Sequence, residues 1–367
     1  MVKKQSPDHF LFLSTLFLVI LGVILVTSAS APRALSITDG KDPFFYGKRQ
    51  AVYALLGIAL LIGASRIDYR RLRKLTGIFA VLSPVFLIVV LFTGEEIHGA
   101  RRWIDLGLLT IQPSEFAKLG LIFVLAHYLS EIGSEVKSFA TGILLPLFYT
   151  LVIGGLIMLE PDLGTTVVIF GIFFIMLFTA GARLLHLSLV GLFGAGAGCA
   201  MILQEPYRLR RLLSFLDPMT DPKGDGWQII QALMALGSGG IFGVGLGRSR
   251  QKFFYLPEPH SDYIFAIVGE ELGLIGSLII LLLFFLLAWR GYKTALSVRD
   301  HYGSLLAVGI TSWLIVQALI NIAVVTSTIP ATGITLPLIS AGGSSLWITL
   351  ISVGILLNIS KEAGGTI

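Results

Sequence analysis

Apolar residues run along this chain in long unbroken stretches, and short polar clusters separate them. A bilayer core takes roughly 20 helical residues to cross. Windows of that length predict ten spans, near 10–30, 49–65, 75–93, 114–130, 139–159, 164–181, 184–203, 264–289, 304–328 and 334–358. The second and fourth are short. The pattern defines an all-α integral membrane protein, a bundle of ten transmembrane helices. A large extracellular loop, 204–262, is expected between the seventh and eighth. No stretch is left for a soluble domain, so residues 1–367 read as one polytopic membrane domain.

Composition agrees: 55% of residues are apolar, 13% are charged, and the mean hydropathy is +0.86. Those values exclude an ordinary soluble enzyme. The first apolar run is longer than a signal-peptide core and more spans follow it, so it reads as a retained helix. The single cysteine, Cys199, rules out an internal disulfide and reads as a buried thiol in the seventh span.

An even number of spans puts both termini on one side. Lys3, Lys4, Arg66, Arg70, Arg71, Arg73, Lys74, Lys137, Arg183, Arg290, Lys293, Arg299 and Lys361 then share that side. The opposite short loops hold Arg33, Lys41, Lys48, Arg49, Arg101 and Arg102. Thirteen against six predicts cytoplasmic termini. The basic 66–74 loop reads as an orientation anchor, and nothing in it calls for nucleic acid.

The loop 204–262 has its own pattern. Leu209, Leu212, Leu213 and Leu216 share one helical face, with Arg208 and Arg211 on the other, as in a short helix lying in the headgroup layer. Asp217-Pro218 and Asp221-Pro222 break the chain, and Trp227–Leu236 predicts a second helix or re-entrant piece. The glycine run 237–247 permits close backbone approach but lacks the lysine-serine pair of a nucleotide loop.

Polar chemistry crowds the expected outer half of the membrane. Asp262 stands at the mouth of the eighth span, placed equally well for a helix N-cap and for a proton acceptor. Glu270 and Glu271 lie about two turns into that span, where ionisable groups are expensive and mark functional sites. Glu115 and Lys118 form an i,i+3 pair, either a closed ion pair or a cation for an anionic ligand with its orienting acid. Glu160-Pro161-Asp162 forms a tight turn suited to capping the next helix or binding a divalent cation. Arg248, Arg250 and Lys252 precede three aromatics, a composition suited to the headgroup zone and equally to a pyrophosphate. Gln317 and Asn321 lie in the ninth span, where polar groups bond neighbouring helices. Small residues around Ser344 interrupt the last span. The six histidines are scattered, with no paired metal-ligand spacing.

Beyond these local readings, the chain resembles the SEDS family, the ten-span peptidoglycan polymerases of bacteria. The resemblance rests on R-W-I-D-L-G, I-Q-P-S-E-F-A-K-L, E-P-D-L-G-T, Y-R-L-R-R, D-P-K-G-D-G-W-Q-I-I-Q, F-F-Y-L-P-E-P-H-S-D-Y-I-F-A, E-E-L-G and G-I-T-L-P-L-I-S-A-G-G-S-S. These stretches run in family order from Arg102 to Ser345, about two thirds of the chain. The wording around 251–258 and 333–345 is nearest the division and sporulation branch. Ala341 departs from the tyrosine expected there.

The resemblance implies an inverting, lipid II-dependent glycosyltransferase of the bacterial cytoplasmic membrane, releasing undecaprenyl pyrophosphate, with Asp262 as general base. It implies substrate or pyrophosphate contacts from Arg102, Glu115, Lys118, Asp162, Arg208, Arg210, Arg248, Glu258 and Ser344. No cofactor is certain; a divalent cation such as Mg2+ would fit the pyrophosphate chemistry. The implied partners are membrane lipids and a class B penicillin-binding protein that crosslinks the glycan. A lipid II flippase and a non-catalytic scaffold are the competing classes. A flippase needs polar groups through the full membrane depth, whereas here they crowd one half.

Overall fold

In the computed structural model, residues 6–97, 100–105, 107, 110–204, 206–224 and 226–362 are described. Helices occupy all ten predicted spans. They are α1 (His9–Ile37), α2 (Phe45–Arg66), α4 (Thr76–Thr93), α5 (Pro113–Ile132), α6 (Leu145–Leu159, entered through a π turn at Ala140–Leu144), α7 (Leu163–Ala180), α8 (Leu184–Gln204), α11 (Ile264–Ser297), α12 (His301–Val325) and α13 (Gly343–Ser360). Three shorter helices join them: α3 (Tyr69–Arg73), α9 (Pro206–Leu216) and α10 (Trp227–Gly239). Among the described residues nine helices are long and apolar enough to cross a membrane. The tenth, α2, has spanning length, but Lys48, Arg49 and Gln50 fill its first turns.

Helix α12 is the hub, packed against α5, α7, α11 and α13, and its Leu306, Ile310, Trp313 and Leu314 are fully buried. Helix α13 lies along α2, α1 runs beside α11, and α4 backs α5. Asp8, which caps α1, bonds Ser360 at the end of α13 through its N–H (3.0 Å) and pairs with Arg290 (2.5 Å). Arg70 pairs with Glu362 on the same face. The two described ends of the chain are thus held together, as an even number of crossings requires.

On the opposite face the α4–α5 connection forms a small antiparallel sheet, β1 (Glu95–Ile97), β2 (Ala100–Asp105) and β3 (Thr110–Ile111), in that order. Two sequence expectations need correction. The tenth helix starts at Gly343, not near 334, because Pro330 and Pro337 cannot continue a helix ladder and Gly333 and Leu338 take positive φ (72° and 66°). Residues 326–342 instead pack inward as irregular chain. Cys199 is exposed, because α8 leans mainly on α7 and α9 and turns most of its surface outward.

Helix α10 and the glycine run after it fold back against the first turns of α11. Helix α11 breaks at Gly273 (φ 67°, ψ −163°), a conformation essentially confined to glycine. The carbonyls released on its inner side, Glu270 and Glu271, accept from Val244 N–H (2.9 Å) and Gly245 N–H (3.0 Å). In return, Leu274 and Ile275 N–H reach the carbonyls of Gly240 (2.9 Å) and Ile241 (3.2 Å). A Cβ on Gly273 would sit 2.3 Å from the Gly243 nitrogen, so both glycines are needed for the contact. Irregular backbone at membrane depth survives because its polar groups are paired internally.

Candidate active site

The turn Leu256–Tyr263 delivers Asp262 to the head of α11, and donors distant in sequence hold three consecutive carbonyls of that turn. His260 O accepts from Ala341 N–H (2.9 Å), Ser261 O from Ser340 Oγ (2.6 Å) and Asp262 O from Asn321 Nδ2 (2.7 Å). Asp262 is half-buried, and its Oδ1 accepts from Ser261 Oγ at 3.0 Å. Gly333 abuts the other oxygen: a Cβ there would lie 3.5 Å from Asp262 Oδ2. Burial pushes the Asp262 carboxyl up to about 6. The Ser261 bond and the Arg102 charge oppose the rise, while the charges of Glu258 and Asp162 add to it. Glu258 sits at positive φ (47°) and pairs with Arg33 of α1 at 2.5 Å. Buried His260 packs its ring 5.2 Å from Tyr46 of α2, and desolvation holds its pKa down.

A second wall is the turn between α6 and α7. Asp162 caps α7 through Thr165 N–H (2.9 Å) and Thr165 Oγ1 (2.8 Å), which makes its first role the capping one. Arg102 reaches over from β2 and donates to the carbonyls of Glu160 (3.0 Å) and Pro161 (2.5 Å). Its charge therefore rests at the end of α6, close enough to act on Asp262. The Glu160 side chain is 0% exposed, and neither carboxyl oxygen has a hydrogen-bond partner among the described residues. Burial first, then the charge of Asp162, raise it to about 8, so it is protonated at neutral pH.

Beneath these lies a closed polar network. Lys118 is 1% exposed and donates to Glu115 (2.8 Å) and Gln317 Oε1 (2.7 Å), with its nitrogen 5.0 Å from the centre of a Trp313 ring. The lysine is thus engaged within the protein on three sides. Gln317 Nε2 donates to Thr335 O (3.1 Å), and Asn321 Nδ2 to Ile334 O (2.7 Å).

The remaining candidates scatter. Arg210 and Arg248 are exposed, on α9 and before the Leu256 turn. The side chain of Arg208 lies outside the described residues. Ser344 accepts from Gln112 N–H (3.1 Å) and so joins the start of α13 to that of α5. Glu270 and Glu271 are anchors for the 248–252 turn. Glu270 accepts from Ser249 Oγ (2.5 Å) and Arg250 N–H (2.8 Å), and Glu271 pairs with Lys252 (2.9 Å) beside Ser28 of α1 (2.7 Å). Lys252, one of the three expected headgroup cations, is withdrawn from the surface by that pair. Sequence reasoning passed over Arg211, which donates to Ala331 O (3.2 Å) and whose charge reaches Tyr263. Its position on the polar face of an amphipathic helix was the available signal.

The fold and site define a polytopic helical membrane protein with a partly buried carboxylate, Asp262, at one end of the bundle within reach of the Arg102 charge. The family model described as cell cycle protein, FTSW_RODA_SPOVE, matches residues 8–364, and the chain belongs to that family. It is 48% identical to stage V sporulation protein E of Bacillus subtilis, covering 98% of each chain. It is 43% identical to the probable peptidoglycan glycosyltransferase FtsW of Escherichia coli, over 97% of this chain and 86% of that one. Among solved structures it is similar to a chain from a peptidoglycan synthase complex, described for the coordination of polymerization and crosslinking (TM-score 0.81, 32% identity, 98% and 99% covered). It is also similar to the rod shape determining protein RodA of Thermus thermophilus (TM-score 0.70, 30% identity, 98% and 99% covered). The resemblance read from the motifs, including the division and sporulation branch, is borne out.

Proposed function

We propose that this chain polymerises lipid II into glycan strands with Asp262 as general base. Peptidoglycan glycosyl transfer is the activity for which its relatives are named, and this chain is a glycosyltransferase of the same family. The observation that carries the residue assignment is Asp262: half-buried at the head of α11, raised to about 6, and within reach of the Arg102 charge, with Arg211 beside the neighbouring Tyr263. Such a carboxylate is ionised at neutral pH yet basic enough to take a proton in a transition state.

In the proposed step the 4-hydroxyl of the acceptor GlcNAc attacks the anomeric carbon of the donor MurNAc from the face opposite the pyrophosphate. The new C–O bond forms as the bond to pyrophosphate breaks, Asp262 takes the hydroxyl proton, and undecaprenyl pyrophosphate leaves with the bonding electrons. Arginines of β2, α9 and the 248–250 turn offset the charge developing on the leaving group. Among the described residues no group of three or more His, Cys, Asp or Glu side chains is arranged to hold a metal ion. A divalent cation such as Mg2+ would suit the substrate's pyrophosphate, and the roles given to Asp262 and the arginines do not run through it.

The face bearing Asp8, Arg70, Arg290 and Glu362 is cytoplasmic in this reading, since it carries the excess of Lys and Arg. The Asp262 face is then external, where lipid-linked saccharide is polymerised. A class B penicillin-binding protein is the proposed partner, in keeping with the synthase complex to which the chain is similar. The test is purified protein with that partner, given lipid II and a transpeptidase inhibitor. Wild type makes glycan chains and Asp262→Asn makes none while retaining its fold. Polymer formation by Asp262→Asn would remove the base assignment, and lipid II translocation without polymer would favour a flippase.

A further inference from the structure

We infer that Asn321 is a positioning residue for the base, setting where the Asp262 carboxylate stands against the irregular 326–342 wall. The inference rests on the reading of Asp262 as proton acceptor. Asn321 is 1% exposed on α12, and its one nitrogen makes two bonds of 2.7 Å, to the carbonyls of Asp262 and Ile334. Both recipients are acceptors, so only the NH2 end of the amide fits and its orientation is determined. Both of its hydrogens are used, and Oδ1 is buried without a partner among the described residues.

The two carbonyls flank the reacting group. One is the backbone of Asp262 itself; the other belongs to the residue after Gly333, which abuts Asp262 Oδ2. One side chain thereby sets the spacing between the base and the wall facing it. The support behind it is rigid. Gln317, one turn earlier on the same face of α12, holds the next carbonyl, Thr335, and is itself held by Lys118 and by Trp313 Nε1 (2.8 Å). Neither 256–263 nor 326–342 has a regular ladder of its own at these points, so α12 acts as their common ruler. The buried Lys118–Glu115 pair then serves the site through Gln317 and the wall.

The test measures initial rates of the full chain with its partner against lipid II concentration and pH. Asn321→Ala is expected to lower kcat about 10- to 100-fold with KM for lipid II within about threefold, as for a displaced but intact base. The acidic limb should also move to lower pH, because the loosened carboxylate becomes better solvated while Glu258, Asp162 and Arg102 still face it. A merely structural role would lower the melting temperature but leave kcat per folded molecule and the acidic limb at wild-type values, which overturns the inference. Should Asn321→Ala not be recovered folded, Asn321→Gln, which carries the donor one methylene further out, is judged by the same two outcomes. Asp262→Asn is assayed alongside. If it turns over normally, the base assignment has failed; if it is inactive while the Asn321 variants match wild type, the positioning inference alone has failed.

Discussion

Replacing Lys252 with methionine leaves Glu271 as a buried acid without its cation, seven residues and about 10 Å along α11 from its first residue. Glu271 is 0% exposed, and its bonds come from Lys252 (2.9 Å), Ser28 (2.7 Å) and Ser249 N–H (3.3 Å). Removing one member of such a buried pair costs about 3–5 kcal/mol, because the survivor has no water to return to. Removing both charges together costs far less, about 0–2 kcal/mol, since the desolvation penalty disappears with them. Lys252→Met and Glu271→Gln should each lower thermal stability in detergent substantially. The double variant should recover most of the loss, with a coupling of at least about 4 kcal/mol, the two single losses less the small cost of removing the pair. Tryptophan fluorescence on heating reads the stability, and lipid II polymerisation per folded molecule reads activity. A coupling below about 0.5 kcal/mol refutes the structural pairing. Loss of polymerisation by Glu271→Gln at unchanged stability would mean that the acid takes part in chemistry.

Three further outcomes are expected. Polymerisation by the wild type should fall as pH drops below about 6, where Asp262 becomes protonated, and hold above it; a flat profile from pH 5 to 8 would detach the rate from this carboxyl. Glu160→Gln should stabilise the protein increasingly from pH 5 to 8. The wild-type acid has its folded value raised to about 8, so the unfolded chain ionises first and folding bears a growing penalty, about 5 kcal/mol at its full extent, which the amide never incurs. Equal stability of the two across that range in thermal melts would contradict the burial of a neutral acid. Gly273→Ala should cost more than about 3 kcal/mol or prevent folding, since it adds strain at φ 67° and a clash with the Gly243 nitrogen. A wild-type melt for that variant would rule out the packing of the glycine run against the break in α11.

The unbroken apolar runs determined on their own that this is a multi-span helical membrane protein, because hydrocarbon forces a lone segment to satisfy its backbone within itself. Local spacing likewise revealed the Glu115–Lys118 pair, the cap at Asp162, the amphipathic α9 and the carboxylate heading α11. What sequence could not supply was which distant groups meet. That Glu271 belongs to Lys252 and Ser28, that Lys118 is closed off by Gln317 and Trp313, and that Arg211 reaches the 326–342 segment depend on how helices pack. The late start of α13 is of the same kind. Its preceding residues are apolar enough to be a span, yet their carbonyls are claimed by side chains of other helices, Asn321, Gln317 and Gln50. Asn321 gave only the signal of a polar residue in a span, and its partners lie 13 and 59 positions away. Polar groups buried in a membrane protein must find partners wherever the fold brings them, so their roles became readable only once α12 stood between the two segments it joins.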